Sequence, residues 1–174
     1  MTGVRASALA VAAAAALLAS APARAQFSDI AVKAAFLPRF ARYVTWPPNG
    51  HTSGPMTICV IGDDPFGGLL NQAATGQQVD GRSFMIKHMA SAVGAGACNI
   101  AFVGGGRAGE ILAGLAREPV LTVTDSRSGS PRGVIHFAIV DGRVRFFIDN
   151  AQARARGLTI SSRLLALAIG VNQR

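Results

Sequence analysis

The sequence contains none of the short motifs that mark the common hydrolytic, redox and metal sites. Its three histidines, His51, His88 and His136, lie far apart and lack a metal-binding spacing such as H-E-x-x-H. No serine is set in a G-x-S-x-G turn, and Cys59 and Cys98 do not form a C-x-x-C pair. We therefore predict no catalytic set, no metal and no cofactor, and we expect a binding or regulatory protein, not an enzyme.

Long basic runs and aromatic clusters are also missing. The 174 residues include 17 Lys and Arg against 9 Asp and Glu, giving a net charge of +8, while aromatic residues make up only 6%. Beyond the first 25 residues the arginines are scattered from Arg39 to Arg174, whereas nucleic-acid-binding surfaces concentrate basic residues and place aromatics among them. We therefore predict no nucleic-acid partner. An acidic partner, an anionic membrane surface or simply an arginine-rich composition accounts for the excess charge.

The first 25 residues have the three parts of a secretory signal peptide. Arg5 supplies the positive charge, residues 6–21 are an apolar stretch of mostly Ala and Leu, and residues 23–25 match the small-x-small cleavage pattern. No cysteine stands directly after the apolar stretch, which argues against a lipoprotein. No Arg-Arg pair precedes the stretch, which argues against twin-arginine export. We predict export to the periplasm by the general pathway, cleavage near Ala25 and one domain over residues 26–174. An uncleaved N-terminal anchor is the alternative.

The two cysteines, Cys59 and Cys98, both lie in the part of the chain that is expected to reach the periplasm. An even number of cysteines in an oxidising compartment favours a disulfide. Closing the loop between them would stabilise the fold by roughly 4 kcal/mol through the entropy of the unfolded chain. Two buried free thiols in adjacent strands are the alternative.

Apolar runs alternate with helical segments along the rest of the chain. Continuous runs at residues 56–61, 99–103 and 120–124 are typical of strands that are covered on both faces. Two further strands, residues 133–140 and 143–148, flank a tight turn. The pattern predicts an α/β fold, a three-layer sandwich with a mostly parallel central sheet, an antiparallel hairpin at its edge and flanking helices.

A first helix is predicted from a cap at Ser28 or Asp29 to about Tyr43. Pro38 lies inside it and should kink or split it, because proline removes a hydrogen bond and crowds the preceding turn. Lys33 lies off the apolar stripe of this helix. Caps of the later helices are predicted at Asp64, at Asn150, and at Ser161 or Ser162.

Asp141-Gly142 favours a two-residue hairpin turn, and this turn sets the register of the two strands around it. In that register one face is apolar throughout and should be core. The other face is half-exposed, and on it His136, Arg145 and Phe147 lie side by side as a candidate partner surface. The apolar face consists of Ile135, Phe137, Ile139, Val144, Phe146 and Ile148.

Residues 104–109 match the dinucleotide-binding pattern G-x-G-x-x-G between a strand and a helix, and Asp125 ends the following strand. A dinucleotide needs a second half-domain that this chain has little room for, so a chance match in a glycine-rich sequence is favoured. Backbone N–H groups at such a turn can also hold a phosphate. The alternative function is therefore a periplasmic module for a small anion or nucleotide, with Gly104, Gly106 and Arg107 as its binding turn.

Segments across most of the chain agree in order and spacing with one known family. They are residues 32–37, 40–41, 44, 46–47, 58–67, 81–82, 98, 120–125, 133, 135, 142–146, 148–149, 153 and 157–165. On these residues, from about Ile30 to Ile169, the chain resembles the YfiR-like family of bacterial periplasmic proteins. Pro38 and the triple-glycine turn at residues 104–106 depart from the family's usual pattern.

The resemblance implies an α/β fold, a homodimer, a bridge between Cys59 and Cys98, and regulation instead of catalysis. The best-known members repress a membrane-bound diguanylate cyclase by binding its periplasmic part, and an outer-membrane-associated lipoprotein relieves the inhibition. The resemblance therefore implies a periplasmic repressor in cyclic di-GMP signalling and biofilm regulation. Its expected partner is the periplasmic domain of a membrane-bound cyclase or sensor.

Overall fold

The computed structural model describes residues 21–48, 50–126 and 131–174, and of residues 21–28 it describes the backbone alone. The predicted signal segment lies outside the described residues as far as residue 20. No helix in the described part of the chain combines the length and hydropathy that a membrane crossing requires.

The fold consists of short helices packed around one large sheet. The helices are α1 (Ala21–Phe40), α2 (Gly68–Ala74), α3 (Ala108–Gly114), α4 (Asn150–Ala155) and α5 (Ser162–Leu167), with 3-10 turns at Ala41–Tyr43 and Ala95–Ala97. The strands are β1 (Val44–Thr45), β2 (Met56–Gly62), β3 (Gln78–Val79), β4 (Arg82–Met89), β5 (Ile100–Gly104), β6 (Leu121–Asp125), β7 (Ile135–Val140), β8 (Arg143–Asp149), β9 (Thr159–Ile160) and β10 (Gly170–Asn172).

The large sheet has the strand order β10-β8-β7-β6-β5-β2-β4-β3. Strands β4, β2, β5, β6 and β7 are parallel, while β8 runs antiparallel to β7 and β3 runs antiparallel to β4. Strands β1 and β9 form a separate antiparallel pair. The predicted α/β fold, with a mostly parallel central sheet, an antiparallel hairpin and flanking helices, is confirmed.

Helix α1 is longer than predicted at its start. The chain is already helical at Ala21. The alanine-rich segment before Ser28 has a high helix propensity, so the helix does not need to begin at the predicted cap. Pro38 lies two residues before the end of α1, where the helix gives way to the 3-10 turn of Ala41–Tyr43. The predicted disturbance by proline is therefore a tightening at the C-terminal end.

Two of the three cap predictions are wrong, the first by three residues and the second by one. Gly67, with φ of 51°, precedes α2, while the Asp64 carboxylate accepts the Phe66 backbone N–H at 2.7 Å and so fixes the preceding turn. Asp149, not Asn150, caps α4 by accepting the backbone N–H of Gln152. The third prediction is confirmed, because the side chain of Ser161 accepts the backbone N–H of Leu164 at the start of α5.

The two faces of the sheet are covered differently. Helix α1 covers one face through an aromatic cluster whose neighbouring ring centroids lie 5.4–6.0 Å apart. Helix α3 covers the opposite face over β2 and β5, where Ile61 and Val103 pack in one core cluster with Ile111. On that opposite face the β7–β8 hairpin leaves Ala138 half-buried and Arg145 exposed. The aromatic cluster is Phe36, Phe40, Phe137 and Phe146.

The predicted register of the hairpin is confirmed at every opposed pair. Asp141 and Gly142 have φ values of 50° and 66°, as a two-residue turn of this type requires. The prediction of the core face is correct near the sheet and wrong at the tip, where Ile139 is 40% exposed and Val144 is half-buried. Val144 still packs against the core cluster that contains Phe137 and Phe146, whereas Ile139 lies beyond it.

Candidate functional site

The candidate site lies on the face of the hairpin opposite α1. The register of β7 with β8 pairs His136 with Phe147 and Ala138 with Arg145 on this face. Arg145 is exposed and Phe147 is half-buried, as predicted for a partner surface. His136 is only 4% exposed, so the prediction that it is half-exposed is wrong.

The loop that enters β7 folds over His136. Thr124 lies opposite His136 on β6, and its hydroxyl oxygen is 2.9 Å from the ring Nδ1. The same oxygen accepts the backbone N–H of Gly133 at 2.9 Å. The hydroxyl keeps its proton and a second lone pair, so it can pair with Nδ1 in either tautomer of the ring, and the tautomer with Nδ1 as acceptor carries the ring proton on Nε2.

The electrostatic surroundings keep His136 neutral. Burial is the largest influence lowering the pKa of His136, and the positive charge of Arg132 lowers it further. Asp125 acts in the opposite direction, while Lys33 again lowers the pKa. A neutral imidazole is therefore the favoured form at neutral pH.

A cavity of about 280 Å³ opens beside His136, between the loop that enters β7 and the strands β8 and β10. We call it the hairpin cavity, and its lining includes Arg132, His136, Phe147, Gly170 and Asn172. The Arg132 guanidinium lies over the Phe147 ring, with Cζ 5.0 Å from the ring centroid. Arg132 was not among the predicted site residues, because only the folded loop brings it next to Phe147 of β8.

The two cysteines form a disulfide, as predicted. Cys59 on β2 and Cys98, just before β5, have Cα atoms 5.9 Å apart and are both almost inaccessible to solvent. Next to the bridge, the Asn99 side chain accepts the backbone N–H of Thr57 at 2.9 Å and donates to the backbone oxygen of His51 at 2.7 Å. Bridge and amide together fix the segment that leads into β5.

A buried ion pair lies at the end of β6. Lys33 of α1 donates to a carboxylate oxygen of Asp125 at 2.5 Å, and the two side chains are 1% and 5% exposed. The helical periodicity had placed Lys33 off the apolar stripe, so its burial was not predicted. The one available signal was the charged Asp125 at the end of a buried strand.

The glycine turn after β5 is surrounded by carboxylates. The Asp63 carboxylate lies against Gly105, where an added Cβ would come within 2.8 Å of it. Arg107 is fully exposed and donates twice to Glu110, which raises the pKa of Arg107 and lowers that of Glu110. This geometry gives no support to an anion site at Gly104, Gly106 and Arg107, which stays a prediction.

Within residues 21–48, 50–126 and 131–174, no group of three His, Cys, Asp or Glu side chains is placed to hold a metal ion.

A family model described as YfiR/HmsC-like matches residues 30–169 of the chain. The chain belongs to the YfiR/HmsC-like family. This membership supports a periplasmic regulatory role in cyclic di-GMP signalling and agrees with the absence of a predicted catalytic set. A search of curated protein sequences finds no match.

For a YfiR/HmsC-like regulator, the exposed parts of the site are the informative ones. The fold brings together the three predicted surface residues, but their exposure differs. Arg145 is exposed, whereas His136 is buried and lines the hairpin cavity. Phe147 is half-buried and lies beneath Arg132.

Proposed function

We propose that this YfiR/HmsC-like protein is a periplasmic repressor that binds the periplasmic region of a membrane-bound diguanylate cyclase or a related sensor. The observation that carries the proposal is the family match over residues 30–169. The open hairpin face supports it, because Arg145 projects from a rigid sheet next to Phe147. Arginine and aromatic residues are enriched at the centres of protein interfaces.

Cellular cyclic di-GMP tests the proposal. Deleting the gene should raise the cellular level of cyclic di-GMP, and wild-type protein supplied from a plasmid should bring it back to the wild-type level. Arg145→Glu should fail to restore it although the variant folds and accumulates, because the change reverses a charge at the proposed contact. Arg117→Glu is the matched control, since Arg117 is exposed after α3, away from the hairpin, and its variant should repress normally.

Unchanged cyclic di-GMP in the deletion strain would contradict the proposed function. Full repression by Arg145→Glu would instead move the contact away from the hairpin face and leave the function standing. Direct binding can be measured between the purified protein and the periplasmic region of the cyclase, and Arg145→Glu should weaken it more than Arg117→Glu does.

We also propose cleavage of a signal peptide near Ala25, one domain over residues 26–174 and assembly into a homodimer. The sequence pattern of the first 25 residues supports the cleavage, and the family resemblance supports the dimer. The mass of the protein recovered from a periplasmic fraction checks the cleavage. Sedimentation of that same material measures whether one copy or two are present.

A further inference from the structure

The hairpin cavity combines a cation, a buried hydrogen-bond donor and an apolar wall. Thr124 occupies Nδ1 of His136, and among the described residues no partner is found for Nε2. No fully buried side-chain nitrogen or oxygen in that part of the chain lacks a partner, so Nε2 must face accessible space. The cavity that His136 lines supplies that space. Nε2 is therefore the ring nitrogen left for a ligand in the cavity, and in the tautomer that protonates it this nitrogen donates a hydrogen bond.

The charge balance of the cavity favours an anion. Arg132 is bound to no carboxylate among the described residues, and its recorded contact is the Phe147 ring. Asp149 also lines the cavity and keeps its negative charge, but its oxygens already accept from the backbone and side chain of Gln152 and from the Asn172 amide, and its charge also acts on Arg156. The guanidinium N–H donors of Arg132 are therefore open to a ligand, and a ligand with a single negative charge would match them.

The size and the wall of the cavity favour an organic ligand. Its volume of about 280 Å³ is near the lower end of the range for small-molecule sites. The Phe147 ring provides an apolar surface, and Gly170 leaves room for it, because a Cβ at Gly170 would come within 2.9 Å of the ring. We propose that the hairpin cavity binds a small organic carboxylate, held by the Arg132 guanidinium and the His136 Nε2–H, with its apolar part against Phe147.

This site goes beyond the proposed function and does not depend on it, because a ligand can bind there whether or not the protein represses a cyclase. Guanidinium–carboxylate pairs with charge-assisted hydrogen bonds are among the stronger polar contacts in proteins. A bound anion would also favour the charged form of His136. The groups that act on this ring are Arg132 beside it, Asp149 of β8, Asp125 of β6 and Lys33 of α1.

Binding can be followed through the imidazole NMR signals of the purified protein, with benzoate as the probe and benzamide as its uncharged match. Benzoate should shift the His136 signal saturably and raise the pH at which it titrates, while benzamide should do neither. Comparison with His136→Gln assigns the signal. Arg132→Gln should lower the affinity for benzoate at least tenfold. The control is Arg145→Gln, which alters an exposed arginine of the same face and should change that affinity less than twofold.

Four results would overturn the proposal. One is the absence of a saturable shift up to about 10 mM benzoate, which would place the dissociation constant above that concentration. Another is equal binding of benzamide, which would leave an apolar pocket without charge recognition. The third is an equal loss in the two arginine variants, which would indicate bulk attraction. Inorganic phosphate that displaces benzoate at equal concentration would assign a phosphate site and reject the carboxylate.

Discussion

Lys33 and Asp125 are 92 positions apart in the sequence, yet their side chains form an ion pair in the interior. Removing either partner takes away the counter-charge of a group whose side chain is only 1% or 5% exposed, which is far more costly than losing a surface pair. We expect Lys33→Met or Asp125→Asn to lower the free energy of unfolding by about 3–5 kcal/mol. Urea unfolding followed by the fluorescence of Trp46 measures this loss.

The double variant Lys33→Met/Asp125→Leu separates the pair from its surroundings. Because it removes both charges, it should recover much of the stability that each single variant loses. Lys87→Met is the control for the loss of a lysine as such, since Lys87 is exposed on β4, and we expect a change within about 0.5 kcal/mol. Unfolding of Lys33→Met at the wild-type urea midpoint would show that the pair contributes nothing.

At the scale of elements, the sequence predicted those features that depend only on residues close together in the chain. Asp141-Gly142 and the alternation around it predicted the full register of β7 and β8, because both signals are local. The burial of His136 was not predicted, because it depends on Gly133 crossing over Thr124 of another strand. For the same reason the helical period of α1 showed which residues share a face, but not that Lys33 meets the end of β6.

The Cys59–Cys98 disulfide joins β2 to the segment that leads into β5, and its effect on stability can be measured directly. Replacing both cysteines with alanine should lower the free energy of unfolding by about 2–5 kcal/mol, because the unfolded chain regains the freedom that the bridge removes. Reductant should lower the melting temperature of the wild type and leave that of the double variant unchanged. Equal melting temperatures of wild type and variant without reductant would contradict a stabilising bridge.

For the whole molecule, the distinctive feature is a sheet whose second face is covered by α3 over β2 and β5 and open on the β7–β8 hairpin. Ala101 on β5 and Ala138 on β7 both belong to this face, as the registers from β5 through β6 to β7 show. Ala101 is fully buried in the cluster that includes α3, whereas Ala138 is half-buried beside exposed Arg145. The same substitution at the two alanines therefore distinguishes packing from partner binding.

We expect Ala101→Glu to unfold the protein or to cost several kcal/mol, because it would bury an unpaired carboxylate. Ala138→Glu should stay within about 1 kcal/mol of the wild type, since the new carboxylate faces solvent and lies opposite Arg145. Urea unfolding measures both variants, and cellular cyclic di-GMP reports whether the folded one still represses. A stable Ala138→Glu that represses fully would show that the partner does not bind on the open face of the β7–β8 hairpin. A stable Ala101→Glu would show that α3 does not close off the sheet around β5.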